Sequence, residues 1–166
     1  MFNSKIDNQE IKQALAIAKV IAMVGVSSIK KKESSTFIRR RPSIIVMKYL
    51  QEFGYRAVPV NPFSAGKKIN EETVVAKLED IIVPIDIVNV FRPSSEIPAI
   101  AKQTVRIGAK VLWLQYGIEN QEAKKIAETA NIIYISNKCI KQEYQKLFLK
   151  IRPVFPVLQT DWSGHM

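Results

Sequence analysis

"VIAMVGVSS", residues 20–28, joins five apolar residues to a glycine and then, one residue on, to a pair of serines. An unbroken apolar run of that length describes a strand buried on both faces, and the glycine marks its end. The same arrangement, a β-rich run followed by turn chemistry, recurs at "RAVPV" (56–60), "DIVNVF" (86–91), "KVLWL" (110–114) and "IIYIS" (132–136). Helical spacing fills the intervals: Asp7–Lys19, with Ile11, Leu15 and Ala18 on one stripe, then 43–53, 97–107 and 119–130. Strands alternating with helices of ten to thirteen residues predict βαβ units, hence an α/β fold with a mostly parallel sheet of five strands and helices on both faces.

The connection from 61 to 85 must cross back over the first strand, which predicts the main-strand order 2-1-3-4-5 and makes the loops at 25–28 and 91–93 neighbours. Within that connection "SAGKKIN" reads as a loop and "AKLEDI" as a short helical turn, with room for at most one short edge strand. After Cys139, "KQEYQKLFLKI" predicts a closing helix, and Pro153 and Pro156 then break the regular structure. Residues 1–150 are expected to form a single domain that begins with a helix, and 151–166 an irregular tail.

A chain of 166 residues, 47% of them hydrophobic, can bury one ordinary core. Its net charge of +10 calls for an anionic partner. The excess is uneven: Lys30, Lys31, Lys32, Arg39, Arg40 and Arg41, against Glu33 alone, place +5 of it between residues 28 and 41. A single cysteine, Cys139, excludes an internal disulfide, and no apolar run reaches the roughly 18 residues of a membrane span. Residues 1–19 carry Asp7 and Glu10 where a signal peptide would be basic and then apolar, so a cytoplasmic protein is expected.

In an open parallel sheet, ligands bind beyond the carboxyl ends of the strands. Those positions read "GVSS" (25–28), "NPFSAGK" (61–67), "RPS" (92–94), "QYG" (115–117) and "NKC" (137–139). Glycines, hydroxyls, an amide and an arginine gather there without a carboxylate, which favours a phosphate-bearing ligand. Gly25 permits positive φ or close approach, and Ser27 and Ser28 offer hydroxyls, so a diphosphate would sit on the first loop. Gly25 nevertheless stands alone where a dinucleotide fingerprint has three glycines. Asn61-Pro62 also stands where an acidic residue would hold a ribose. An ordinary NAD-dependent dehydrogenase is thereby disfavoured.

Read together, "IAMVGVSS", "RPSIIVMKYLQEFGYRAVPVNP", "AGK", "DIVNVFR", "IGAKVLWLQYGI" and Cys139 with Glu143 resemble the stand-alone CoA-binding proteins, similar in fold to the N-terminal domain of the succinyl-CoA synthetase α subunit. The resemblance runs from about residue 20 to 143. It implies a Rossmann-like three-layer fold and coenzyme A, or an acyl-CoA, as the ligand. The implied contacts are Gly25, Val26, Ser27 and Ser28 in the first loop, and Arg41, Pro42 and Ser43 at the start of the second helix. Asn61, Pro62 and Lys67 follow the second strand, Phe91 and Arg92 the third, and Gln115 and Gly117 the fourth. Relatives often carry lysine directly after the Asn-Pro pair; here that residue is Phe63, and Lys67 or Lys68 would supply the charge.

Several of these residues have structural roles open to them as well. Proline and serine suit the first turn of a helix, which accounts for Pro42 and Ser43. Arg92 could form an ion pair that holds a neighbouring loop, Trp113 suits the core, and Glu143 could support the loop at 137–139. Cys139 reads as a small buried side chain, because the only histidine, His165, lies in the tail. The three arginines before Pro42 make sense if the second helix and its approach hold phosphate, since a helix N-terminus and guanidinium groups stabilise the same anion.

In the synthetase, chemistry depends on a phosphorylated histidine from another domain, and this chain has no internal histidine to take that part. The reading is therefore a binder of CoA or acyl-CoA without evident catalytic machinery, with no metal site and with homo-oligomerisation left open. Two alternatives stand beside it. One is an NAD(P)- or nucleotide-binding redox or regulatory module using the same sheet edge. The other is nucleic-acid binding through the basic loop 28–41, disfavoured because Phe37 is its single aromatic.

Overall fold

Residues 6–27 and 42–151 are described by a computed structural model. The basic loop, with the expected contacts Ser28 and Arg41, and the tail from residue 152, with His165, lie outside the described residues. In chain order the strands are β1 (Val20–Val24), β2 (Arg56–Val60), β3 (Lys68–Ile69), β4 (Glu72–Thr73), β5 (Ile87–Val90), β6 (Val111–Leu114) and β7 (Ile133–Ile135). The helices are α1 (Asn8–Ile17), α2 (Pro42–Glu52), α3 (Ile97–Arg106), α4 (Gln121–Thr129) and α5 (Ile140–Tyr144).

Five of the strands form one sheet in the order β2-β1-β5-β6-β7, every pair parallel. Leaving out the two short strands, that is the predicted 2-1-3-4-5; the sheet is wholly rather than mostly parallel. Residues 61–84 differ more from expectation. β3 and β4 form a separate antiparallel hairpin where at most one edge strand was expected. The chain leaving the hairpin then bridges Val75 to Val60 and covers part of the edge of β2. A bare strand edge invites pairing with other chains, and this return segment takes up part of its hydrogen-bonding capacity. The "AKLEDI" turn is a short 3-10 helix at Leu78–Asp80.

Side-chain alternation along the strands divides the core in two. Ile21, Met23, Ile87, Val111 and Trp113 meet α1, α2 and α5 on one face; Ala22, Val24, Val88, Val90, Leu112 and Leu114 meet α3 and α4 on the other. Burying a side chain of this size contributes about 1.5–3 kcal/mol, so filling both faces is what fixes the three layers. α1 begins at a capping box in which Asp7 accepts from the Glu10 amide at 2.8 Å and Glu10 accepts from the Asp7 amide at 3.0 Å. The closing helix is shorter than predicted: α5 spans five residues and loosens into a π turn at Gln145–Leu149. Tyr144 and Phe148 stack there with centroids 4.7 Å apart, and Tyr144 also meets Phe53, just past α2, at 4.7 Å.

Asp86, just before β5, ties the opposite end of the sheet. Its carboxylate accepts the Lys19 and Val20 amides at 2.8 and 3.0 Å, with Lys110 Nζ at 3.6 Å. Burial raises its pKa, but the two amides and Lys110 outweigh that, and the net shift is below the ordinary carboxylate value. Among the described residues no helix is long and apolar enough to cross a membrane, and no cluster of histidine, cysteine or carboxylate side chains could hold a metal ion.

Candidate functional site at the carboxyl edge of the sheet

Gly25 adopts φ +94°, a backbone conformation that L side chains rarely take. A Cβ built there would lie 2.7 Å from Arg92 Cδ, 3.2 Å from Cγ and 3.4 Å from the Phe91 carbonyl carbon. The first and third loops are thus in contact, as the strand order requires, because β1 and β5 are adjacent. The stem of Arg92 lies against the bare backbone at Gly25, and its guanidinium grips Glu96 in a fork of 2.7 and 3.1 Å. That bond to Glu96 raises the pKa of Arg92. Of the two roles open to Arg92, the structure shows the ion pair.

Asn61 ties the second loop to the first. Its side chain is buried, donates to the Val26 carbonyl at 3.0 Å and accepts the Phe63 amide at 2.9 Å. Val26 itself is fully buried and packs in the core, so a ligand at this edge would meet its backbone rather than its side chain. Ser27 follows it at the limit of the described segment. Pro62 and Lys67 are exposed in the turns that lead to the hairpin. Ser43 is buried in the first turn of α2 and Pro42 is exposed there. Phe91 is half-buried against the core.

At the other end of the edge, the Gly117 amide donates to Asn137 Oδ1 at 2.7 Å, and Trp113 Nε1 donates to the Lys138 carbonyl at 2.8 Å. The fourth and fifth loops are thereby joined. Gln115, 5% exposed, donates to Asn89 Oδ1 at 2.5 Å. Asn89 is a polar residue that sequence reasoning passed over: it is fully buried at mid-strand beside Met23 and Trp113. Its signal was available, as one amide in the apolar run "DIVNVF". Glu143 supports the loop at 137–139 as expected, with Lys138 at 4.0 Å and Lys146 at 2.9 Å.

Cys139 is the N-cap of α5 and packs against the core. Burial pushes its thiol above the ordinary value, against the opposing pull of the Gln142 and Lys141 amides. A thiol so placed is protonated at neutral pH and a weak nucleophile. A groove of about 230 Å³ lies between Arg56, Lys68, Glu72 and Ile82, and of the residues expected to serve the ligand only Lys68, the alternative to Lys67, lines it.

The arrangement is a row of loops joined by side-chain to backbone bonds, with half-buried Gly25 against Arg92 and the carboxylates of Glu96 and Glu143 each paired with cations. An anionic, phosphate-bearing molecule fits that chemistry. Residues 19–145 match a protein family described as the CoA binding domain. The chain is 37% identical over 135 residues to the uncharacterized protein YneT of Bacillus subtilis (strain 168), a match covering 80% of this chain and 90% of that one. The solved structure of cell-free ID.343 from Thermus thermophilus superposes with a TM-score of 0.75 at 34% identity, covering 86% of this chain and all of that one. A dinucleotide-forming acetyl-coenzyme A synthetase of Ca. Korarchaeum cryptofilum shares the fold, with a TM-score of 0.56 at 18% identity over 72% of this chain and 26% of that one.

Proposed function

This chain belongs to the CoA binding domain family, and from that premise we propose that it binds coenzyme A or an acyl-CoA at the carboxyl edge of its sheet and acts as a carrier, sensor or subunit rather than as a catalyst. The observation that carries the reading is the close approach of the first and third loops at Gly25, where a single methyl group would collide with Arg92, at the carboxyl ends of adjacent central strands. Gly25 lets the first and third loops close on each other while its own N–H donates to the Val60 carbonyl at 2.9 Å, and a diphosphate would meet the N–H groups and hydroxyls that follow it.

The rest of the site suits the rest of the ligand. Ser27 and Ser28 supply hydroxyls to the diphosphate. Arg92 can turn from Glu96 toward an incoming phosphate, because both partners are substantially exposed and an exposed pair holds by at most about 1 kcal/mol. Arg41, with the other basic residues of 28–41, supplies charge for the ribose 3′-phosphate. Ser43, Asn61, Pro62, Lys67, Phe91, Gln115 and Gly117 complete the edge through polar groups and backbone. Burial of Cys139 pushes its thiol up, which makes it a poor nucleophile and supports a binder over a catalyst.

Calorimetric titration of the full chain with CoA, dephospho-CoA and NADP+ tests the reading. CoA is expected to bind and NADP+ to bind at least tenfold more weakly, about 1.4 kcal/mol. Tighter binding of NADP+ than of CoA would transfer the site to a nicotinamide nucleotide.

A further inference from the structure

Phe63 is 88% exposed, the most exposed aromatic side chain among the described residues. Scattered exposed apolar residues are ordinary on a protein surface, and exposure alone says nothing. What distinguishes Phe63 is how firmly its backbone is held. Its amide is bound to Asn61 Oδ1 at 2.9 Å, and the next amide, of buried Ser64, donates to the Asn61 carbonyl at 3.2 Å. The same Asn61 side chain donates to the Val26 carbonyl at 3.0 Å. One buried amide group therefore links the backbone of Phe63 to the loop that begins at Gly25. The chain fixes the backbone that carries a large exposed ring, one hydrogen-bonded residue away from the loop that begins at Gly25, where folding gains nothing from it.

We infer that Phe63 is the platform on which the adenine ring of CoA stacks. The inference rests on the CoA reading and deepens it, by giving the base a partner where the phosphates would take backbone and cations. Every purine presents a flat π face, and an aromatic residue whose backbone is already held has only its two side-chain torsions to order when a base covers it. Stacking also removes the exposed ring from water, so the bound state recovers burial that the free protein forgoes.

The test is calorimetric titration of CoA into the full chain and into Phe63→Ala, Phe63→Leu and Phe63→Trp, with Ile82→Ala as a control at a residue 97% exposed and remote from the edge. Thermal melts should superimpose for all five proteins, because neither side chain is buried. Phe63→Ala and Phe63→Leu should weaken CoA about 5- to 150-fold, the range of base–aromatic stacking. Phe63→Trp should stay within about threefold of the parent or tighten, and Ile82→Ala should have no effect. With ethenoadenine CoA, the base should be shielded from acrylamide quenching by the parent and Phe63→Trp, and open to it in Phe63→Ala. Unchanged affinity in Phe63→Ala, or Phe63→Leu equal to the parent, would overturn the stacking role while leaving CoA binding intact. Failure of the parent itself to bind CoA would overturn both.

Discussion

Replacing Gly25 by alanine separates the backbone demand of the crevice from its function. Two terms add in this variant. The first is conformational: holding an L residue at φ +94° costs about 1–3 kcal/mol. The second is steric: the new Cβ would sit 2.7 Å from Arg92 Cδ, so the arginine stem must move and its fork with Glu96 opens. That ion pair is substantially exposed on both sides, which limits the second term to about 1 kcal/mol or less. Gly54 provides the comparison, since it holds φ +92° with nothing within 4 Å of its Cβ position. Gly54→Ala should therefore lose only the first term, and Gly25→Ala should exceed it by no more than about 1 kcal/mol. At about 2–4 °C per kcal/mol for a chain of this size, the two melting temperatures should fall together by several degrees and differ by only a few. Their CoA affinities should diverge. Gly25→Ala crowds the proposed diphosphate position and should weaken CoA by about tenfold or more, whereas Gly54→Ala should stay within about twofold. Urea unfolding and calorimetry on the three proteins measure both quantities. Parental CoA affinity in Gly25→Ala would refute the placement of the ligand against this loop.

Asp86→Ala should destabilise the fold by about 1.5–3 kcal/mol at neutral pH, since it removes a charged acceptor from the Lys19 and Val20 amides. The folded pKa of Asp86 is lowered, so its contribution is fully present above the ordinary carboxylate value and disappears as pH falls through the folded value; the gap between parent and variant should close in acid, and a gap constant with pH would contradict this. Cys139→Ala should change stability modestly and leave CoA affinity within a few-fold, and the native thiol should resist iodoacetamide at neutral pH because burial raises its pKa. An acyl adduct on the native protein that Cys139→Ala abolishes would replace the binder with an acyl-transfer enzyme. Alanine at Arg39, Arg40 and Arg41 together should weaken CoA more than dephospho-CoA if the basic loop meets the 3′-phosphate; equal losses for both ligands would assign the loop to solvent.

The amino-acid sequence alone determined the layers and the strand order. Burial on two faces demands unbroken apolar runs, and "VIAMV" and "RAVPV" form strands with the bounds their composition sets, Val20–Val24 and Arg56–Val60. Handedness and the long return from 61 to 85 then leave one reasonable place for the third main strand, which is why Gly25 and Arg92 could be expected to meet. These signals are local or topological, so a linear pattern carries them. Hydrogen-bond partners are another matter. That Asn61 would reach Val26 and that Gln115 would turn to Asn89 depends on sub-ångström placement of segments distant in sequence. The five-residue α5 and its π turn, where Tyr144 packs between Phe53 and Phe148, are likewise a question of shape that helical periodicity does not encode. Periodicity tells a side chain which face to occupy; only the packed structure decides which atom it finds there, because short-range directional bonds are selected after burial has brought the loops together.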